Sequence, residues 1–435
     1  MSVTTSRASR AVPVSGRVTA DLLIDSARLS ELLGRPARAT RLRHKPGLST
    51  TAALIDPTGE QPPGWVQVTH PEHQDKLSNA LRRAGERGQQ VHLRDVPEAL
   101  APGRLQLAWG GFDTDPRLQS GLDTVRVAHP DLPEAVRGGR LTVLRYNPHR
   151  RLVLHRPING CQPLVLRVTA HRQRYVQRNL ARLAAAGVPL VAPLATHGLE
   201  RTRRVSVWPW FGEGDLQHRN TNDAPPAEIA ALAHEAGEAL ARVHHTADLI
   251  VEDSTEPRKE LQRLRRDLGH CDPAAGERMD ALNLRVLSLI DERPWARGTL
   301  HGDFSADQVL IATPGTDGDR IALIDFDRIS TGPLARDLGS FAAHELLNHP
   351  VTGEGSEVPG ELSMTAALLQ GYAVSGRAWS GRRSDTTPDG SAEHDLRTWT
   401  AHALLLRVLE PFRAAEPAWL GLIHQRLDQI EEILR

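Results

Sequence analysis

Cysteine and long apolar runs are scarce in this sequence. Only 2 of its 435 residues are cysteine, so a disulfide framework or a CxxC metal site cannot be built, and a reducing compartment is expected. The sequence has no run of about eighteen apolar residues and no apolar segment near its start, which disfavours a membrane span and a signal peptide. We therefore expect a cytoplasmic protein without a membrane partner.

An excess of charge of one sign is also missing. The 53 basic residues balance 53 acidic residues, which disfavours binding to nucleic acid through bulk charge. Lysine occurs only as Lys45, Lys76 and Lys259, none of which stands in a GxxxxGK[ST] loop, and GxSxG and HExxH are absent. The P-loop, serine-hydrolase and zincin interpretations therefore lose their main support.

The length predicts roughly two or three domains. Residues 1–34 read as a polar tail followed by a helix, because leucines recur at helical spacing and the pattern ends at Gly34. Residues 38–88 and 140–188 each read as strand, turn, strand, turn, strand and helix. A fixed offset between two similar segments indicates duplicated units.

The offset also holds downstream, where an apolar strand runs into aromatic and glycine residues in both 104–119 and 204–217. We predict a duplicated, non-catalytic unit over residues 35–125 and a second unit over residues 140–220. From residue 221 to 435 the periods become helical, apart from a hairpin-like interruption.

That interruption carries the chemistry. It contains HGDFSADQ, residues 301–308, and IDFD, residues 324–327, joined by a glycine-rich connection. A hairpin would bring Asp303, Gln308 and Asp325 together at one end of its strands. Carboxylate and amide oxygens suit Mg²⁺, and a remaining acid can deprotonate a hydroxyl nucleophile.

These two ordered motifs resemble those of the aminoglycoside phosphotransferase and choline kinase-like family. The resemblance implies an α+β, bilobal protein-kinase-like fold, with a β-rich N-lobe and a helical C-lobe, here preceded by the extra N-lobe-like α+β domain. It implies ATP or GTP and Mg²⁺ as cofactors, Asp303 as catalytic base, and metal ligands at Gln308, Asp325 and Asp327. It also implies that His301 and Asp337 brace the catalytic loop.

The sequence departs from the family pattern at three places. Arg167 stands where the family carries its phosphate-binding lysine, and a guanidinium keeps the charge but not the point contact of an ammonium. The following helical segment has no Asp or Glu that could pair with Arg167, so only a neutral hydrogen bond from Gln173 or Gln177 is available there. Gln308 replaces an asparagine, as it does in maltokinase-like members.

Other candidate nucleotide contacts lie near the two motifs in the predicted fold. No GxGxxG covers the phosphates, and the corresponding turn, YNPHRRLVL, offers Arg150 and Arg151 as phosphate contacts or as solvated charges. Trp208 and Trp210 lie where the strand linking the lobes would meet adenine, and they could equally be core residues between the lobes.

We therefore predict an ATP- and Mg²⁺-dependent kinase that acts on a hydroxyl of a small molecule, such as a sugar, an aminoglycoside-like antibiotic or another metabolite. A peptide Ser/Thr kinase of a natural-product pathway and a degenerate pseudokinase are the alternatives. A cationic antibiotic would need an acidic cleft, for which four acids are available: Glu345, Glu393, Asp395 and Glu410. The oligomeric state cannot be read from the sequence.

Overall fold

A computed structural model gives the structure of the chain. It describes residues 16–69, 73, 75–101, 104–158, 162–173, 175–195, 203–221, 224–251, 256–315, 318–348, 362–376, 379 and 391–435. Helices and antiparallel sheets are both present, which confirms the predicted α+β class. None of the helices within these ranges is long and apolar enough to cross a membrane.

Two short helices precede the first sheet, α1 (Gly16–Ile24) and α2 (Ser26–Leu33). Asp25 separates them, because its carboxylate accepts hydrogen bonds from the first backbone N–H groups of α2, as an N-cap residue does. The helix ends at Gly34, whose φ of 67° is left-handed and favours glycine. The predicted helix end is therefore confirmed, and the stretch before it contains two helices.

The first sheet has five antiparallel strands in the order β1-β2-β3-β5-β4. Its strands are β1 (Arg38–Lys45), β2 (Ser49–Ile55), β3 (Gly64–Thr69), β4 (Val91–Asp95) and β5 (Gln106–Gly111). Helix α3 (Asp75–Glu86) follows the third strand. The predicted strands and helix of this segment are present, and β4 is an additional edge strand.

The second sheet follows two short helices, α4 (Gln119–Arg126) and α5 (Leu132–Arg137). It has four antiparallel strands in chain order: β6 (Thr142–Asn147), β7 (Arg151–Arg156), β8 (Leu164–Thr169) and β9 (Val205–Pro209). Helix α6 (Val176–Ala185) follows the third strand here as well. The first hairpin of each sheet contains a register shift.

The remaining chain is mainly helical. Its helices are α7 (Leu216–Thr221), α8 (Pro226–His245), α9 (Pro257–Cys271), α10 (Pro273–Asp291), α11 (Ala335–Asn348), α12 (Ser363–Ala373), α13 (Ser391–Arg407), α14 (Glu410–Ala414) and α15 (Trp419–Ile433). Within the described part of this region, five short strands accompany them: β10 (Gly214–Asp215), β11 (Arg297–Leu300), β12 (Val309–Ile311), β13 (Ile321–Leu323) and β14 (Ser330–Pro333). Strand β10 pairs with the β12–β13 hairpin, and β11 pairs with β14.

Shared apolar clusters hold these parts together. One cluster joins α1, α2 and the first sheet to helices α9, α10, α13 and α15. A second cluster joins the two sheets, with Trp65 of β3 and Leu152 of β7 both fully buried in it. A third packs the β12–β13 hairpin against α8, α11 and α12. Because burial of apolar surface is the main stabilising contribution, each part depends on its neighbours.

Candidate active site

The HGD segment forms a tight loop after β11. Gly302 has a φ of 87°, and a Cβ placed there would lie 2.1 Å from the carbonyl oxygen of Arg328. Both facts require glycine at this position. The close approach brings the HGD loop directly against the turn that follows the IDFD motif.

Asp337, near the start of α11, braces this loop from within the core. Its carboxylate is fully buried and accepts hydrogen bonds from the backbone N–H groups of His301 at 2.7 Å and Gly302 at 3.0 Å. His244 Nε2 lies 3.1 Å from the same carboxylate. Burial opposes ionisation of Asp337, but the hydrogen bond and charge of His244 outweigh it and lower the pKa. The contacts match the bracing role that the resemblance implied.

The β12–β13 hairpin places Gln308 beside Asp325. Gln308 is buried at the end of a single 3₁₀ turn, and its backbone carbonyl accepts a hydrogen bond from the backbone N–H of Ile324 at 3.1 Å. His301 Nε2 donates to the carbonyl of Ile324 at 2.9 Å. Ile324, the residue before Asp325, is therefore hydrogen-bonded both to the HGD loop and to Gln308.

Asp325 is held in a strained backbone conformation between two arginines. Its φ of 61° is left-handed, which is uncommon for a residue other than glycine and typical of functional sites. Arg151 Nη1 donates to its carboxylate at 3.0 Å, and Arg167 Nη2 lies at 3.4 Å. Burial alone would raise the pKa of Asp325, but these two guanidiniums lower it. Asp325 is therefore a carboxylate at neutral pH.

Asp327 shares one of these arginines. Arg167 forms an ion pair with its carboxylate, and the amide of Gln173 donates to it at 3.3 Å. Arg167 thus contacts both acids of the IDFD motif, and its guanidinium Nε has no hydrogen-bond partner. Gln173 therefore contacts Asp327, whereas the sequence analysis proposed Gln173 as a possible contact of Arg167.

Asp303 lies at the surface of the same region. Its side chain is 42 % exposed and has two guanidinium neighbours, Arg328 at 3.3 Å and Arg407 at 4.0 Å. Arg407 is in turn fixed by a hydrogen bond of 2.9 Å to Ser340. The predicted base is therefore accessible to an acceptor molecule that tolerates neighbouring positive charge.

The oxygen donors of this region fit a magnesium ion only in part. Within the described ranges, no three His, Cys, Asp or Glu side chains cluster closely enough to hold a metal. Gln308, Asp325 and Asp327 nevertheless offer hard oxygens, and Mg²⁺ commonly takes one or two carboxylates together with phosphate oxygens. The donor set suits Mg²⁺ that arrives with a phosphate ligand, provided that Arg151 and Arg167 release the two acids.

The turn between β6 and β7 carries Arg150, leads into Arg151 at the start of β7, and is anchored from outside the second sheet. The carboxylate of Asp115 accepts hydrogen bonds from Tyr146 Oη at 2.9 Å and from the backbone N–H of His149 at 2.7 Å. His149, at a φ of 62°, packs its ring 5.8 Å from that of Trp65. The N-terminal part of the chain thereby fixes the turn.

The two tryptophans proposed for the nucleotide base flank the end of β9. Trp208 is half-buried and donates through its indole N–H to Ser206 at 2.9 Å. The ring of Trp210 lies 4.7 Å from that of His155, and its indole donates to the carbonyl of Gly212. Both roles considered from the sequence, adenine contact and packing between the lobes, are compatible with these positions.

The four acids considered for a cationic acceptor are all engaged by other groups. Glu345 is buried and accepts hydrogen bonds from backbone N–H groups at the start of α12. Asp395 is buried and ion-paired with Arg293 at 2.8 Å. The other two form ion pairs on helix surfaces: Glu393 with Arg397, and Glu410 with Arg407 and Arg426.

Sequence reasoning missed several residues of this region. Arg328 directly follows the IDFD motif, so its position could have suggested a contact with the HGD loop. Arg407 and Asp115 carry no local signal, because each reaches the site from a distant element. Their contacts depend on tertiary packing alone.

The second sheet and the catalytic region together match a known family model. The model is described as the phosphotransferase enzyme family, and it covers residues 140–374. No curated protein matches the chain.

Several solved structures are similar to this chain at low sequence identity. A choline/ethanolamine kinase family protein from Mesorhizobium loti has 15% identity and a TM-score of 0.46, covering 72% of this chain and 95% of its own. An amicoumacin kinase in complex with AMP-PNP, Ca²⁺ and Ami has 13% identity and a TM-score of 0.48, covering 72% of this chain and 95% of its own. A choline kinase from Streptococcus pneumoniae has 13% identity and a TM-score of 0.47, covering 72% and 98%.

Proposed function

Because this chain belongs to the phosphotransferase enzyme family, it is a phosphotransferase that acts on an alcohol group, and we propose that its donor is MgATP or MgGTP. The proposed acceptor is a hydroxyl of a small molecule, and the proposed compartment is the cytoplasm. The observation that supports this most strongly is the junction of the two motifs. There, His301 and Gly302 tie the loop of Asp303 to the turn of Asp325.

The proposed chemistry assigns one task to each group. Asp303 accepts the proton of the acceptor hydroxyl as it attacks. Gln308, Asp325 and Asp327 would hold Mg²⁺, which would neutralise charge on the phosphates when bound. Positioning and electrostatic stabilisation supply most of the catalysis in this type of reaction.

The nucleotide would lie between the second sheet and the catalytic hairpin. Arg151 and Arg167 are the cations nearest Asp325, and in this proposal they exchange its carboxylate for the phosphate oxygens. Trp208 and Trp210 flank the proposed base pocket. Arg150, the other arginine of the turn, has a different set of neighbours.

We also propose that residues 35–125 are a duplicated, non-catalytic N-lobe. The support is topological: β1-β2-β3-β5 pair in the same order as β6-β7-β8-β9, and a helix follows the third strand in both. A register shift in the first hairpin is a further common feature. HGD occurs only once in the sequence, so this unit has no catalytic partner of its own.

One observation favours a second candidate, a pseudokinase that binds nucleotide or protein without transfer. Arg167 engages Asp325 and Asp327, which the reaction needs for the metal. Helix α6 has no acid that could draw Arg167 away. Release of the acids would therefore depend on the incoming phosphates. A peptide acceptor remains the other alternative that the sequence left open.

The test is incubation of the purified protein with MgATP and a metabolite extract, followed by mass spectrometry for an added phosphate. We expect a phosphorylated product that forms with the wild type and not with Asp303→Asn. Nucleotide binding without any product would favour the pseudokinase. Absence of nucleotide binding would contradict the kinase and a nucleotide-binding pseudokinase, and would leave only a pseudokinase that binds protein.

A further inference from the structure

A cavity lies at one end of the first sheet, away from the HGD and IDFD motifs. Its volume is about 500 Å³, and its walls come from the linker before β1, the loop between β2 and β3, the neighbouring ends of β4 and β5, and helix α5. Cavities of roughly 300–1,000 Å³ are typical of sites for small molecules. Neither motif contributes to the lining, so the cavity is separate from the candidate active site.

The strand register gives this cavity a flat floor beside two aromatic rings. Gly64 of β3 lies opposite Gly111 of β5, and His92 of β4 lies opposite Trp109 of β5. Paired residues share a face of a sheet, as do residues two apart in a strand, so these four positions lie on one face. The rings of His92 and Trp109 are stacked at 5.0 Å with 16° between their planes. We call the two rings the aromatic wall and the two glycines the glycine floor.

Asp113 places a carboxylate on the same face. A Cβ at Gly111 would lie 2.5 Å from Oδ1 of Asp113, so the carboxylate lies directly over the glycine floor. Asp113 lines the cavity but is only 7% exposed, and the side-chain amide of Gln89 donates to it at 2.9 Å. Burial raises the pKa of Asp113, although the charge of Arg126 opposes the rise. A cationic group of a ligand would stabilise this buried carboxylate.

The arginines of the lining already have acidic neighbours. Arg137 of α5 pairs with Glu134 at 3.6 Å. The positive charge of Arg35 acts on the carboxylate of Asp56. Asp113, by contrast, forms no ion pair with any residue that the structure describes. The unbalanced charge at the glycine floor is therefore negative.

The spacing of these features sets the length of a ligand. Gly111, over which the carboxylate lies, is two residues from Trp109, and two residues of an antiparallel strand span about 7 Å. A ring at the aromatic wall and a cationic group at Asp113 would be about that far apart. An amine joined to an aromatic ring by a short carbon chain has a comparable length.

We propose that this cavity is a binding site for an aromatic amine, with its ring on the glycine floor against the aromatic wall and its ammonium group at Asp113. The buried carboxylate accepts a charge-assisted hydrogen bond, which is stronger than a neutral one. The wall supplies contacts between rings. Glu60, also in the lining, adds a carboxylate at the surface, which disfavours an anion such as a nucleotide. The site is independent of the proposed function, because it uses none of the residues assigned to phosphate transfer.

Titration calorimetry of the full chain with phenethylamine tests the proposal. We expect saturable binding of one molecule per chain. Phenethyl alcohol has the same ring without the charge and should bind at least about tenfold more weakly. Cyclohexylethylamine keeps the charge without the flat ring and should bind several-fold more weakly. Saturation of the protein with Mg²⁺ and AMP-PNP should leave the affinity for phenethylamine unchanged.

Variants locate the bound amine. Asp113→Asn keeps the shape of the side chain without its charge and should lower the affinity at least about tenfold. Gly111→Ala should do the same because its methyl group occupies the glycine floor, and its φ of −67° is open to alanine. Gly85→Ala, at an exposed glycine of α3 with no atom within 4 Å of the added Cβ, is the matched control. Asp319→Asn, at an exposed acid, is the control for the loss of charge. Melting temperatures confirm that each variant is folded.

The outcomes are distinct from those of the kinase test. Loss of affinity confined to Asp113→Asn and Gly111→Ala, with AMP-PNP binding unchanged, would support the site whether or not the chain transfers phosphate. No binding of phenethylamine to the folded wild type would overturn it. Wild-type affinity in both cavity variants, or displacement of the amine by AMP-PNP, would place the amine elsewhere and overturn it too. Equal affinity for phenethyl alcohol would overturn the assignment to an amine.

Discussion

The Oη of Tyr146 lies 2.9 Å from the carboxylate of Asp115, and both side chains are buried. Asp115 belongs to the segment after the first sheet, whereas Tyr146 is the second-last residue of the first strand of the second sheet. The same carboxylate accepts the backbone N–H groups of Arg117 and His149. Burial and the charge of Asp115 raise the pKa of Tyr146, so the phenol remains a donor. This bond connects the N-terminal unit to the turn that carries Arg150 and leads into Arg151.

Loss of that bond should weaken both the fold and the turn. We expect Tyr146→Phe to lower the free energy of unfolding by about 1–3 kcal/mol, because it removes a donor from a buried carboxylate. The affinity for nucleotide should fall in parallel, as the turn becomes less well positioned. Urea denaturation and nucleotide titration measure the two effects. Tyr175→Phe, at an exposed tyrosine, is the control; equal behaviour of the two variants would contradict the anchoring role.

The proton acceptor can be tested separately from nucleotide binding. We expect Asp303→Asn to reduce kcat by about 10²–10⁴-fold, the usual contribution of a general base, while the nucleotide Kd stays near that of the wild type. Asp319→Asn, at the opposite end of the β12–β13 hairpin, is the matched control and should keep full activity. Unchanged kcat in Asp303→Asn would exclude Asp303 as the base.

The arginines on Asp325 should oppose metal binding when no nucleotide is present. We expect Arg151→Gln to increase the affinity of the nucleotide-free protein for Mn²⁺ by about tenfold, because a positive charge next to the carboxylate is removed. Electron paramagnetic resonance of free Mn²⁺ measures this without turnover. Arg156→Gln provides the control, and equal Mn²⁺ affinity in Arg151→Gln and the wild type would show that Arg151 does not compete with the metal.

Asp337 makes a pH-dependent contribution to stability. We expect Asp337→Asn to lower the free energy of unfolding by about 3–5 kcal/mol, because the substitution removes one partner of a buried, hydrogen-bonded charge pair. The folded pKa of Asp337 is lowered, so its contribution is complete above the unfolded pKa of about 3.9 and is lost as the pH falls through the folded value.

The difference between the wild type and Asp337→Asn should therefore be largest near pH 6 and shrink below about pH 4. Urea denaturation at pH 6, 4 and 3 measures it, with Asp319→Asn as a surface control. A difference that grows on acidification would contradict this sign.

The local patterns determined much of the fold and of the site. The spacing of apolar residues predicted the strands and helices of both sheets, and α2 ends at the capping residue Gly34 as predicted. The HGD and IDFD motifs identified the hairpin, because the short connection between them places β12 and β13 side by side as antiparallel neighbours. Contacts within about twenty residues are readable in this way, since spacing and turn geometry restrict them.

Only the tertiary structure decided which charges meet. Arg151 lies 174 residues from Asp325, and Arg407 lies more than a hundred residues from Asp303. Asp115 anchors a turn in another sheet, and the first sheet shares an apolar cluster with the C-terminal helices. No local pattern encodes these pairings, because an ion pair or a buried contact depends on how whole elements pack. The hairpin that carries Gln308, Asp325 and Asp327 could therefore be predicted from the sequence, whereas the ion pairs of Asp325 and Asp327 with Arg151 and Arg167 could not.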